Sequence, residues 1–197
     1  MTRIDKDEKR LRILTAAREI FEETGKIDVG LRAIAARTNQ TTGGIYNHFK
    51  GKDEILAALL GQSLDRLFRA VSSAAHERPD NPAAALRASA TAFLDHYRTN
   101  QFEQKLGLYQ FESEHKTGFG KHVDTRLNSQ LSQTVKIFEE LFFALSGNHE
   151  KSQDNAAALF SALIGISMMA TLRRDQSLGT NAENLLDTIL SNFLSNQ

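Results

Sequence analysis

Apolar residues recur along this chain at spacings of three and four, and the elements they predict are helices. Ile13, Leu14, Ala17, Ile20 and Phe21 form one stripe of a first helix over about 5–24, with Arg12, Arg18, Glu19 and Glu22 on the opposite face. Gly25 is a natural stop for it. Leu31, Ile34 and Ala35 face inward on a short second helix over about 31–38, with Gly30 as its N-cap. Asn39 tolerates the left-handed conformation that a sharp turn needs. Thr41 then caps a third short helix to about Phe49, and Gly51 breaks it. Asp53 and Glu54 stand in the first turn of a long fourth helix, about 52–77, where carboxylates favour the positive helix end.

The two prolines, Pro79 and Pro82, separate that helix from a fifth over about 83–99. Further helices are predicted over 101–113, 123–146, 152–174 and 181–194, with Gly118, Gly120 and Gly147 at the breaks. No run of alternating β-branched residues bounded by turns interrupts them, so the expected fold is all-α.

Composition narrows the function. The 197 residues include no cysteine, which excludes disulfides and thiolate metal sites and fits a reducing cytoplasm. The opening MTRIDKDEKR is charged and lacks the apolar core of a signal peptide. Net charge is zero, but it is unevenly spread. Residues 1–52 hold eleven Lys/Arg against seven Asp/Glu, and residues 53–197 hold thirteen against seventeen. A basic head on an acidic body suggests that the head meets a polyanion. No nucleophile elbow, phosphate-binding loop, His-Glu metal motif or dinucleotide fingerprint is present, so neither catalysis nor a cofactor is expected.

Residues 31–56, LRAIAARTNQTTGGIYNHFKGKDEIL, carry the chemistry. Two short helices joined by a three- or four-residue turn make a helix-turn-helix. Such a unit offers the start of its second helix to base edges in the major groove. Here that start is Gln40, Thr41, Thr42 and Gly43, none of them bulky or acidic. Asn47 and His48, one turn on, can hydrogen-bond to phosphate or base, and Lys50 and Lys52 suit phosphate.

Over about residues 10–58 the chain closely resembles the TetR family of bacterial transcriptional regulators (TetR/AcrR type). The resemblance is carried by Ile13-Leu14 with Ala16, Ala17, Phe21 and Gly25, then Ile34-Ala35-Ala36. It continues through Thr41-Thr42-Gly43-Gly44-Ile45-Tyr46-Asn47-His48-Phe49 and Lys52-Asp53-Glu54-Ile55-Leu56. It implies that Thr41, Thr42 and Gly43 contact bases and backbone, that Tyr46 and His48 clamp the DNA backbone, and that Lys52 contacts a phosphate. Ile45 and Phe49 would hold the helix in the small core. The chain departs from the family pattern at Gln40, where a small apolar residue is usual, and at Thr42 and Gly44, where Lys and Thr are common. Those departures touch operator choice, not fold. The expected domains are a helix-turn-helix DNA-binding domain, 1–52, and a larger helical effector-binding and dimerisation domain, 53–197.

Within that larger domain, residues 156–172 carry no charge and approach membrane-span length. Ser161, Gly165, Ser167 and Thr171 interrupt the run and no second span exists, so a helix buried on several sides, not a membrane partner, is expected. Ala158, Ala162, Gly165 and Met169 form a small-residue ridge, and Leu185, Ile189 and Phe193 a matching stripe on the last helix. The resemblance implies that these two helices pack with their copies into a four-helix homodimer bundle. Two reading heads then imply a near-palindromic double-stranded DNA operator.

The middle helices hold Phe93, His96, Tyr97, Phe102, Tyr109, Phe111, Phe119 and His122. Apolar walls with a few polar groups suit a ligand, although aromatics at this spacing also make plain core. The resemblance implies a small-molecule effector site between the central helices, with Phe93, Tyr97, Tyr109 and Phe111 as candidate contacts. His115 and His122, near Glu112 and Glu114, are separated by Gly118 and Gly120, which would break any helix aligning them; no metal site is expected. The expected function is a cytoplasmic, nucleoid-associated dimeric repressor released from its operator by an effector. An activator, or a regulator that needs no ligand, is the alternative.

Overall fold

The computed structural model describes residues 3–27, 30–108 and 118–195. Among them the secondary structure is helical and no strand occurs. In chain order the helices are α1 (Arg3–Thr24), α2 (Leu31–Arg37), α3 (Thr42–Tyr46), α4 (Lys52–His76), α5 (Pro82–Thr99), α6 (Gln101–Leu108), α7 (Lys121–Ser146), α8 (His149–Thr171), α9 (Arg174–Ser177) and α10 (Ala182–Ser195). Contacts divide the chain into two compact units. One comprises residues 1–63 and 102–127, the other residues 64–101 and 128–197.

The stops are chemical. Gly25 takes φ 65° after α1, Asn39 takes φ 53° in the turn after α2, and Gly147 takes φ 68° after α7. Asn81 caps α5 through its side chain, which accepts from Ala84 N, and Pro82 follows in the first turn, where its missing N–H costs nothing. Two helices end sooner than the pattern predicts. The third stops at Tyr46 and not Phe49, because the amides of His48 and Phe49 both turn back to the Ile45 carbonyl. The eighth stops at Thr171 because Arg173 takes the left-handed φ of 54°, and a separate turn, α9, follows. Helix α6 is described to Leu108, so the rest of the helix expected over 101–113 lies outside the described residues, as do Tyr109, Phe111 and His115.

The core of the first unit is the expected stripe of α1: Ile13, Leu14, Ala17, Ile20 and Phe21 are buried, together with Ile34 and Ala35 of α2 and Ile45 and Phe49 around α3. Leu31, expected inward, is half-buried. Arg37 at the end of α2 clasps α1 by donating to both Glu23 oxygens, at 2.9 and 2.6 Å. That fork holds the Glu23 carboxyl below its ordinary pKa and raises the Arg37 guanidinium.

Two residues depart from their expected surroundings in this unit. Phe102 stacks on Phe21, ring centroids 5.2 Å apart, and so packs with the head and not among the middle-helix aromatics. Arg18, expected on the polar face of α1, turns onto Glu103, with its Nη1 2.8 Å from Oε1. Glu103 is only 1% exposed and also accepts from the Ser63 hydroxyl at 2.6 Å. A buried carboxylate is retained where cation and hydrogen bonds offset its desolvation. The two partners stand forty and eighty-five residues from Glu103 along the chain, so sequence periodicity had no access to this pairing.

In the second unit α8 packs against α5 and α10. Its buried stripe is Ala156, Leu159, Leu163 and Ile166, while Phe93 of α5 meets Phe160 edge-on at 5.7 Å. Phe138 and Phe142 of α7 are fully buried, and Phe142 meets Phe193 of α10 at 5.3 Å. By length and composition α8 could cross a membrane, yet only 28% of its apolar stretch is buried within this chain.

Arg18→Met takes the guanidinium from a buried carboxylate and is expected to cost about 3 kcal/mol of unfolding free energy. The double change Arg18→Met with Glu103→Met removes both charges and should cost less. Urea unfolding of the two variants checks this; a double variant as unstable as the single one contradicts it.

Candidate nucleic-acid interface

The site is built on the shortest structured piece of the head. Helix α3 has five residues, two of them glycine, and its intrinsic helix propensity is poor. It is held from three directions. Thr41 accepts a hydrogen bond from Gly44 N at 3.1 Å, capping the first turn. Ile45 and Phe49 are buried beneath it at 0% and 1% exposure. Arg10, from α1, lies over the Phe49 ring with its guanidinium carbon 3.9 Å from the centroid, donates to the His48 carbonyl, and reaches Glu54 at 3.3 Å. Glu54, in the first turn of α4, also accepts from Lys50 N at 2.7 Å. Arg10 and Glu54 therefore fix the chain between α3 and α4.

This scaffold leaves the opening of α3 at the surface. Thr41, Gly43, Tyr46 and Asn47 are exposed, Tyr46 at 57%. Gln40, Thr42, His48 and Lys52 are half-buried. All eight sequence-predicted DNA contacts thus fall in one continuous segment around one short helix. No acidic side chain lies between Thr38 and Lys52.

The departures at Gln40 and Gly44 are a matched pair. A Cβ built on Gly44 would stand 3.2 Å from Gln40 Oε1 and 3.5 Å from Gln40 Cβ. Glycine at 44 therefore leaves room for the Gln40 side chain to lie along the start of α3.

His48 is electrostatically unusual. Burial lowers its pKa below the ordinary 6.5, and the charges of Lys6, Lys9 and Arg10 lower it further, against the opposing effect of Asp5. Sequence reading missed Arg10 as the residue that positions this segment. Its signal was only a basic residue one turn before the apolar stripe of α1, which is also what a solvated face shows.

Of the other predicted sites, Phe93, Tyr97 and the residues of the expected dimer seam lie in the second unit. Phe93 and Tyr97 are buried, with rings 5.3 Å apart. Tyr109 and Phe111, their expected companions, lie outside the described residues. A cleft of about 240 Å³ opens among α5, α8 and α10, floored by Leu94, Ala170 and Leu186 and rimmed by Asp95, Arg98 and Glu183. Neither Phe93 nor Tyr97 lines it. A shallower groove of about 440 Å³ between α8 and α10 is walled by Ala162, Ile189, Asn192 and Phe193. Three of the residues predicted for a dimer seam therefore meet there. Of the others, Ala158 and Gly165 are exposed, and Met169 and Leu185 are half-buried. His122 is exposed.

A short capped helix presented at the surface behind a left-handed turn, on a packed α1–α2 base, defines a helix-turn-helix protein. Residues 13–59 match the family model for bacterial regulatory proteins of the tetR family. The chain is 36% identical over 93 residues to the HTH-type transcriptional activator FasR of Mycolicibacterium smegmatis, a match covering 47% of this chain and under half, 42%, of that protein. It is 27% identical over 168 residues to the HTH-type transcriptional repressor BepR of Brucella suis, covering 83% of this chain and 80% of BepR. The crystal structure of a tetR-family bacterial regulatory protein from Rhodococcus RHA1 superposes with a TM-score of 0.69 at 20% identity, over 99% of this chain and 97% of that one. Residues 13–59 therefore carry the regulatory region described for the tetR family, and the fold is shared with a tetR-family regulatory protein along the chain.

Thr41→Ala removes the cap of α3 and is expected to cost about 1 kcal/mol of stability without DNA present, whereas Thr41→Ser keeps it. Denaturation of the free protein measures both; equal stability of Thr41→Ala and the parent would remove the cap from this account.

Proposed function

We propose that the chain is a dimeric DNA-binding repressor that leaves a near-palindromic operator when a small-molecule effector binds. The observation that carries this reading is the capped, surface-exposed opening of α3 over buried Ile45 and Phe49. Gln40, Thr41, Thr42 and Gly43 meet base edges there, and Tyr46, Asn47, His48 and Lys52 hold the sugar–phosphate backbone. The excess of basic residues in the first 52 positions supplies the long-range attraction. Such a protein acts in the bacterial cytoplasm, on the nucleoid.

Dimerisation is supported by the outward face of α8. An apolar helix that is largely uncovered in one chain calls for a covering surface, and a second copy offers the same face. Ala158, Ala162, Gly165 and Met169, with Leu185, Ile189 and Phe193 of α10, form that seam. A Cβ at Gly165 meets nothing within 4 Å in a single chain, so bulk there is harmless unless a partner covers it. The effector contacts Phe93, Tyr97, Tyr109 and Phe111. It shifts the population away from the DNA-binding state only so far as it binds the other state more tightly.

BepR is named a repressor and FasR an activator, so the activator reading also has a specific relative behind it. A reporter placed behind the operator decides between them by the direction of its change.

Selection of bound duplexes from random DNA by the purified full chain is expected to return two half-sites in inverted repeat. On such a duplex Lys52→Ala should weaken all sequences alike and reduce the salt slope by about 1, and Thr42→Ala should change the ranking of sequences. No enrichment over random DNA at moderate ionic strength defeats the proposal. Separately, Gly165→Leu is expected to yield folded monomers with operator affinity lowered at least tenfold; light scattering that finds a normal dimer rejects the seam.

A further inference from the structure

The cleft among α5, α8 and α10 stands apart from the proposed dimer seam and from Phe93 and Tyr97, none of which lines it. Its volume of about 240 Å³ is that of roughly eight water molecules in the liquid, enough for a small organic body and too little for a large one. Leu94 and Leu186 are buried in its floor, and the small side chains of Ala170 and Ala182 leave the space above them open. Such a floor favours an apolar body by the area it removes from water.

The rim is electrically one-sided. Three carboxylates, Asp95, Glu183 and Asp187, line the cleft against one cation, Arg98. Asp187 is held by Arg87 of α5. Arg98 lies 2.7 Å from Asp95, its neighbour on α5, and 3.6 Å from Glu183 of α10. One guanidinium is thus divided between two carboxylates, and it stands too far from Glu183 for a good hydrogen bond. The cleft therefore holds one carboxylate more than Arg87 and Arg98 balance. The helix ends lean the same way. Helices α5 and α8 bring their negative C-terminal turns to it, and only α10 brings a positive N-terminal turn. That turn is already answered by Glu183 within it and by the Asn181 side chain, which accepts from Asn184 N at 2.8 Å.

We propose that this cleft binds a small organic cation: a primary ammonium group on a short apolar body. The ammonium sits between Asp95 and Glu183 and offers its three donors to their oxygens, while the body lies on Leu94, Ala170 and Leu186. No aromatic ring lines the cleft, so a quaternary ammonium, which has no proton to donate and relies on ring faces, is not matched. A carboxylate ligand would meet an Arg98 already shared between two acids and would add to the excess negative charge. The incoming cation competes with Arg98 for Glu183, so Arg98 opposes the ligand. Because those two residues stand on α5 and α10, the ligand exchanges a direct approach between the helices for one that runs through itself.

Titration calorimetry of the full chain with hexylammonium, hexanol and hexanoate, which share one apolar body, isolates the head group. Hexylammonium is expected to bind about tenfold more tightly than hexanoate, and its affinity should fall as salt is raised. Glu183→Gln with Asp95→Asn should lower its affinity about fivefold and leave that of hexanol unchanged. Arg98→Met should raise it about threefold, since both carboxylates are then released to the ligand. Ala170→Phe fills the floor and should abolish binding of all three, with circular dichroism checking the fold. If that variant does not fold, the carboxylate and Arg98 variants still decide, because their side chains stand at the surface. Hexanoate binding as tightly as hexylammonium overturns the proposal. So does an affinity indifferent to the carboxylate pair, weaker binding in Arg98→Met, unaltered binding in a folded Ala170→Phe, or no binding at millimolar hexylammonium. No DNA enters these measurements, so their failure is distinct from a failure of the reading as a DNA-binding regulator.

Discussion

A helix of five residues with two adjacent glycines cannot hold itself together in water, since one turn of hydrogen bonds does not offset the entropy of fixing it. Everything that the head presents depends on how that deficit is met. Ile45 and Phe49 anchor the helix by burial, Thr41 closes its first turn, and Arg10 ties its far end to α1 and α4. The consequence is functional: the residues of the opening turn have little to do with stability, apart from the Thr41 cap, and are free to vary with the surface they meet. Gln40 and Gly44 illustrate this, one gaining bulk where the other gives it up.

Arginine does most of the joining in this head. Arg37 forks onto Glu23 at the surface, where solvent screening leaves such a pair little energy and its effect is chiefly orientation. Arg10 combines ring stacking, a carbonyl and a carboxylate, a set of partners that a lysine cannot reproduce. Arg18 pairs with a carboxylate that is almost wholly buried, so this contact carries a desolvation cost and is sensitive to the loss of either member. Through Glu103 and Ser63 it joins α1, α4 and α6 in one packed unit.

The second unit shows the complementary arrangement. From Ala156 on, α8 carries no charge on any side, yet only one stripe of it is covered within the chain, where α8 packs on α5 and α10. Small residues on the outward face, Ala158 and Gly165 among them, keep that face flat and close to the backbone, a shape that suits another helix better than solvent. On the α5 side the Arg87–Asp187 pair and the Arg98–Glu183 approach bridge α5 to α10 around a cleft with an apolar floor.

Most helices, the all-α class and the cap of the short third helix were legible in the residues, because each is written in local order: apolar spacing of three and four, Gly25 and Asn39 at left-handed stops, Thr41 at a cap. The core positions Ile13, Phe21 and Ile34 followed from the same periodicity, and Ile45 and Phe49 from the family resemblance. Where local order gives no information, it failed. The early end of α3 depends on two amides competing for the Ile45 carbonyl, and the placement of Phe102 on Phe21 joins residues eighty-one apart. Arg18 was assigned to solvent because a charge on an amphipathic helix is ordinarily there; only the fold brings the buried Glu103 to it. The sequence alone therefore determined most of the helices, the short capped one among them. The tertiary structure decided which charges are buried and which arginine fixes the chain between α3 and α4, since these depend on Coulomb and contact forces between residues that only folding makes neighbours.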